Sequence, residues 1–186
     1  AVNARRLNEQ SLALEICDLT DGDARGAYRN INYDMRMYKR LKMYFHAEPG
    51  ADGTNLNDGD LTGFIRLGSD FDNNYYEYEI PLAVTPWYTS DEDLIWPDVN
   101  QMNIELKKLQ NLKINRPTGQ PVFMEYSEYD DEFGARMSVK GNPNLANVVM
   151  VMVGVRNIDK DSNVFPYSDD GLDKCAVVWT NELRLT

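Results

Sequence analysis

The sequence predicts an all-β chain folded as a two-sheet antiparallel sandwich. Three observations carry that prediction. Apolar residues alternate with polar ones at period two in about eight separate segments. The segments are divided by turns rich in Gly, Asp and Asn, the residues that bond their own backbone or accept left-handed φ. Only one short stretch has helical spacing.

The elements follow in order. Ser11–Cys17 places Leu12, Leu14 and Ile16 opposite Ser11, Ala13 and Glu15, and a polar loop with Asp18, Asp21, Gly22, Asp23 and Gly26 comes next. Met35–His46 sets Leu41, Met43 and Phe45 on one face, with Arg40, Lys42, Tyr44 and His46 on the other. A long turn runs from Pro49 to Gly63. The segment FIRLGSDFDNNYYEYEIPL, residues 64–82, then reads as a hairpin around Asp70–Asn74. Its second strand puts Tyr76, Tyr78, Ile80 and Leu82 on a core face and Tyr75, Glu77 and Glu79 on a solvated one. An irregular aromatic loop, TPWYTSDEDLIWPDVN, leads into a brief alternation at Met102–Leu106.

Leu106, Leu109 and Leu112 are spaced for one or two helical turns. Val122–Tyr129 and Ala135–Lys140 are further strand candidates. Asn147–Val155 is nearly continuous Val and Met, the mark of a strand buried on both faces. Lys174–Leu185 closes the chain, with Cys175, Val177 and Trp179 alternating against Ala176, Val178 and Thr180. No linker, low-complexity tract or fixed-period repeat divides residues 1–186, so a single domain is expected, and a jelly roll is its natural topology if the first and last strands are neighbours.

Composition narrows function by exclusion. The net charge of −11 opposes binding to a phosphate backbone and leaves cations, neutral sugars or proteins as partners. No apolar run approaches the roughly 20 residues that span a bilayer. The opening AVNARRLNEQ has no signal-peptide pattern, which suggests an excised fragment or a mature product. Cys17 and Cys175 lie in the first and last strand candidates; they could form a disulfide, as suits an oxidising cell envelope, or stay as two buried thiols.

Candidate chemistry is sparse. His46 is the lone histidine, and its place on an exposed strand face beside Glu48 argues against a Ser-His or Cys-His catalyst. Glu77 and Glu79 share a face at about 7 Å, a spacing that suits a glycosidase pair but equally suits two solvated acids. No catalytic motif or cofactor is indicated. A structural calcium ion is the one candidate, held by Asp159, Asp161 and Asn163, whose DxDxN order begins like an EF-type loop. Val164 stands where glycine belongs, Asp170 where glutamate belongs, and Pro166 stiffens the loop. A second acidic turn holds Asp52, Asn55, Asn57, Asp58 and Asp60. Trp87, Tyr88 and Trp96, joined by Tyr75, are candidate stacking residues for a sugar or a protein. The alternative for the tryptophans is to plug the end of the sandwich.

The strings YDMRMYKRLKMYFHAE (Tyr33–Glu48), GDLTGFIRLGSDFDNNYYEYEIPL (Gly59–Leu82), IWPDVNQMNIELKKLQNLK (Ile95–Lys113) and VVWTNELRLT (Val177–Thr186) resemble the SprA (Sov) family. These are very large outer-membrane translocon proteins of the type IX secretion system and gliding motility in Bacteroidetes. The resemblance implies a soluble, non-catalytic insertion of a larger chain, at the outer membrane of a Gram-negative bacterium. Its partners would be other translocon subunits or secreted cargo proteins, with no nucleic acid. The strand pattern is also similar to galactose-binding-like and carbohydrate-binding modules, which makes a calcium-stabilised glycan binder the second expectation. In the first case Trp87 and Trp96 should be buried. In the second, at least one should stand exposed beside a groove.

Overall fold

A computed structural model describes residues 11–51 and 55–186. Two antiparallel sheets face each other. The first is ordered β1 (Leu12–Leu19), β10 (Lys174–Leu185), β3 (Arg40–Pro49), β6 (Gln101–Glu105). The second is ordered β2 (Ala24–Tyr33), β9 (Val148–Asn157), β4 (Leu61–Gly68), β5 (Tyr75–Pro81), β8 (Ala135–Lys140), β7 (Tyr126–Asp130). The chain passes repeatedly from one sheet to the other, and its first and last strands pair. That winding is compatible with a jelly roll to which the β7–β8 hairpin adds one edge.

The two inner faces make one apolar core. Leu41, Met43, Phe45 and Ala47 of β3 meet Ile65 and Leu67 of β4, Tyr76, Tyr78 and Ile80 of β5, and Val151, Val153 and Val155 of β9. Phe45 is wholly buried because Gly63 leaves it room: a Cβ at Gly63 would stand 2.8 Å from the Phe45 ring. β9 lies between β2 and β4, which accounts for its continuous Val and Met run. Val151, Val153 and Val155 face the core, while Met150 and Gly154 are buried on the outer face.

The hairpin turn forms as its composition predicts. Asp70 Oδ1 accepts the backbone amides of Asp72, Asn73 and Asn74. The leucine triplet also behaves as its spacing predicts. Helix α2 (Leu106–Asn115) buries Leu106, Leu109 and Leu112 and packs against β6, β7 and β8, closing one seam between the sheets. A single helical turn, α1 (Glu92–Ile95), is capped by Asp91, whose carboxylate accepts the Asp93 amide. Cys17 and Cys175 are joined by a disulfide that ties β1 to β10.

Three local expectations fail. The strand expected from Met35 begins only at Arg40, because the Tyr38 amide closes a turn onto the Met35 carbonyl. Ala24–Tyr33 is a strand, although its start reads as polar loop; it is an edge strand with most of its residues exposed, so burial leaves little periodic signal. Conversely, Val122, Phe123 and Met124 are exposed and lie in a turn, and β7 begins only at Tyr126. Pro121 removes a ladder donor at the start of that run, and the Met124 amide closes a turn onto its carbonyl.

Candidate functional site

The outer face of the six-stranded sheet differs most from expectation. Glu77 and Glu79 are each only 1% exposed, not solvated. Cross-strand register explains it. Arg66 lies opposite Glu77, and Arg136 lies opposite Glu79. Arg156 reaches both carboxylates from β9, with Nη2 3.2 Å from Glu77 Oε1 and Nη1 on Glu79 Oε1. Arg66 Nε donates to Glu77, Arg136 Nε donates to Glu79 at 2.9 Å, and the Thr62 hydroxyl donates to Glu79. Burial pushes the Glu79 carboxyl up, but the guanidiniums of Arg156 and Arg136 and the Thr62 hydroxyl outweigh it and hold its pKa below the ordinary value. Arg156 shows the mirror effect: burial works against its charge, and the two carboxylates more than restore it.

Tyr75, expected outside, is buried at the end of the same layer. The Arg66 guanidinium stacks 4.2 Å from its ring centroid, and its hydroxyl donates to Glu125 at 2.8 Å. Burial, followed by the nearby Glu125 charge, raises its phenol pKa. Tyr44 belongs to the other sheet, where its hydroxyl accepts from Gln101, so it shares no surface with Tyr75, Glu77 and Glu79. Period-two alternation assigns these residues to the correct sheet face. It carries no information on whether three arginines from other strands will cover that face.

Three of the four candidate stacking residues, Trp87, Tyr88 and Trp96, lie in the loop between β5 and β6, residues 82–100. Asn100 anchors its two ends, accepting the Ala83 amide at 2.7 Å and donating to the Ala83 carbonyl at 2.9 Å. The Val84 amide donates to Asp58, and the Thr85 amide donates to the Ala47 carbonyl. His46 holds the middle. It is buried rather than exposed, with Nδ1 donating to the Ile95 carbonyl at 2.7 Å and Nε2 3.5 Å from Glu48. Its ring lies between Trp96 at 5.5 Å and Trp179 at 4.9 Å. Trp96 is therefore half-buried packing on the sheet.

Trp87 and Tyr88 are not packed in this way. Trp87 is 61% exposed and Tyr88 fully exposed, their rings 6.2 Å apart. Tyr88 adopts a φ of 62°, a left-handed conformation rare for a residue with a side chain. Leu94 and Val99 of the same loop are exposed as well. A groove of about 730 Å³ runs beside Trp87, lined by Asn55, Asn57, Asp58, Pro86 and Tyr167. The loop thus fails to plug the sandwich at Trp87, since its tethers hold its ends and middle and leave residues 86–90 projecting.

Two of the three expected calcium ligands, Asp159 and Asn163, accept backbone amides within turns. Asp159 Oδ1 accepts the amides of Asp161 and Ser162, and Asn163 Oδ1 accepts the amide of Phe165. The Asp161 side chain is exposed. In the second acidic turn, Asp60 accepts the Asn57 amide and faces Lys174 Nζ at 3.3 Å; Asp52 lies outside the described residues. Among the described residues no group of three or more His, Cys, Asp or Glu is arranged to hold a metal.

Lys174 is a further buried charge, its side chain 1% exposed between Asp60 and Asp170. Burial lowers its pKa, and the two carboxylates raise it by more. Nothing in its sequence context, DKCAV, marks it as buried.

The chain is thus an antiparallel β-sandwich tied by one disulfide between its first and last strands. The chain belongs to the SprA_N family, described as motility related/secretion protein, whose model matches residues 1–186. No curated protein matches it. Among the described residues, no helix is long and apolar enough to cross a membrane.

Proposed function

We propose that the chain is a non-catalytic protein-contact module of an outer-membrane export and motility machine, engaging other subunits or exported proteins through the Trp87–Val99 loop. The observation that carries this is the loop as a docking surface. Trp87 stands exposed beside a groove, the outcome expected of the glycan binder and not of a scaffold whose tryptophans plug the sandwich, so burial lends the protein-contact reading no support. Trp87, Tyr88, Leu94 and Val99 stand exposed on a backbone tethered at both ends and held by His46 in the middle. Rigidly held aromatics lose little entropy on docking and dominate contact energies. Membership of a motility and secretion family supplies the cellular setting. The disulfide suits the oxidising cell envelope. The Glu77–Glu79 pair supports the non-catalytic reading, because both carboxylates are buried and neutralised by arginines.

The test replaces Trp87 and Tyr88 together by serine in the native protein and measures secreted-protein yield and surface spreading. Both should fall while the level of the protein in the envelope stays constant. Normal export and spreading at a normal level would overturn the contact role.

A second reading, glycan binding, draws on the groove beside Trp87, where Asn55, Asn57 and Asp58 offer polar partners to a sugar stacked on the indole. Affinity electrophoresis through gels containing soluble polysaccharides tests it. Retardation that disappears in Trp87→Ala would favour a glycan over a protein, and unchanged mobility through all the gels would remove this reading.

A further inference from the structure

The two seams between the sheets are closed differently. Helix α2 fills the seam beside β6 and β7, burying three leucines. The opposite seam lies between the edge strands β1 and β2, which are joined by the short turn of residues 20–23. A groove of about 650 Å³ opens there, walled by Ala27, Ile31, Met43, Val153 and Leu183 among others. Four of the large apolar side chains exposed on the molecule, Leu12, Tyr28, Tyr33 and Leu183, line it. Isolated exposed apolar residues are ordinary, but a set of them around one groove marks a contact surface.

The lip of the groove is a free strand edge. Among the described residues β2 pairs with β9 on one side and with no strand on the other, so alternate amides and carbonyls of its outer edge face away from the sheet. A register shift between Asn30 and Tyr33, with Asn32 in a left-handed φ of 52°, ends the regular run. Ala24–Asn30 remains, about 24 Å of edge. Arg29 lines the groove on this edge, and among the described residues no carboxylate pairs with it. Of the described residues lining the groove, Arg29 is the one cation, and the one carboxylate there, Glu182, pairs with Arg184.

We infer that the β2 edge accepts an extended strand of another polypeptide. The strand would hydrogen-bond along Ala24–Asn30, lay alternate apolar side chains into the groove and set an acidic residue against Arg29. Three features favour this occupant. An acyl chain would fill the groove but make no use of the backbone groups at its lip, which would stay bonded to water. A second copy of β2 paired antiparallel about Ala27 would bring Arg25 opposite Arg29, a like-charge contact that destabilises a ladder. An acidic partner strand supplies the complementary charge. The inference rests on reading the chain as a protein-contact module and adds a surface separate from the Trp87 loop.

The test uses two synthetic ten-residue peptides that alternate isoleucine and threonine, with glutamate at one central position in the first and lysine there in the second. Amide hydrogen exchange of the purified chain is followed with each peptide, with lauric acid, and alone. The glutamate peptide should slow exchange along Ala24–Asn30 and bind at least about tenfold more tightly than the lysine peptide, a difference of about 1.4 kcal/mol. Arg29→Glu, at an exposed position and checked for unchanged circular dichroism, should reverse that order. Four results would overturn the inference: no slowing on β2, slowing confined to other strands, equal binding of the two peptides, or displacement of the peptide by lauric acid with loss of protection on β2. Dimerisation of the peptide-free chain through β2, seen by sedimentation, would overturn it too. Because the purified chain and synthetic probes are used, failure here leaves the export result for Trp87 and Tyr88 to stand or fall separately.

Discussion

Replacing Arg156 by leucine isolates the largest electrostatic commitment in the molecule. In the native protein its guanidinium bridges Glu77 and Glu79, both 1% exposed. The variant leaves Glu77 with Arg66 and Glu79 with Arg136. Charge in the layer changes from three cations against two anions to two against two, so each carboxylate keeps one partner but loses the shared one. Breaking a buried pair costs about 3–5 kcal/mol, and the remaining arginines place the expected loss near the lower bound, about 3 kcal/mol. With a urea slope of roughly 2 kcal/mol/M, the unfolding midpoint at pH 7 should fall by about 1.5 M.

The pH dependence gives the cause away. Glu79 has a folded pKa below its ordinary value, so its contribution is fully present above roughly pH 4.3, the unfolded value, and is lost as pH falls through the folded pKa. The gap between native and variant proteins should therefore narrow below about pH 4 as the Glu79 carboxylate takes up its proton. Urea unfolding of both proteins from pH 7 to pH 3 is the assay. A gap under about 1 kcal/mol at pH 7, or one that stays constant to pH 3, would refute the assignment of a stabilising buried ion layer.

Three further outcomes follow from the same structure. Reducing Cys17–Cys175, which closes a separation of 158 residues, should cost roughly 5 kcal/mol by the chain-entropy relation and lower the urea midpoint measurably; an unchanged midpoint with free thiols confirmed would show that the bridge constrains nothing. Gly63→Ala should cost about 1–3 kcal/mol, because its Cβ would meet the Phe45 ring at 2.8 Å, and thermal unfolding reads that loss directly. Excess calcium or chelator should leave the melting temperature unmoved, since Asp159 and Asn163 already accept backbone amides; a rise of several degrees with calcium would show that those turns open to admit the ion.

The sequence by itself determined the sandwich, because burial against one core imposes period two on every strand that has a buried face. β3, β5, β9 and β10 were legible for that reason, and so were the Asp70 turn and the three leucines of α2. The placement of Cys17 and Cys175 in the first and last strands was consistent with pairing of those strands but left a disulfide and two buried thiols both open; the tertiary structure decided for the bridge. β2 was illegible because an exposed edge strand leaves almost no apolar alternation to read.

Only the tertiary structure decided which outward-facing side chains meet water. Glu77, Glu79 and Tyr75 are covered by Arg66, Arg136 and Arg156, which come from three other strands. Lys174 is enclosed by Asp60 and Asp170. His46 is sealed by a loop that begins more than thirty residues later in the chain. Alternation along a strand reports the direction of a side chain relative to its own sheet. Cover over that side chain comes from residues distant in sequence, and their arrival is settled by cross-strand register and loop tethering, which no local pattern encodes.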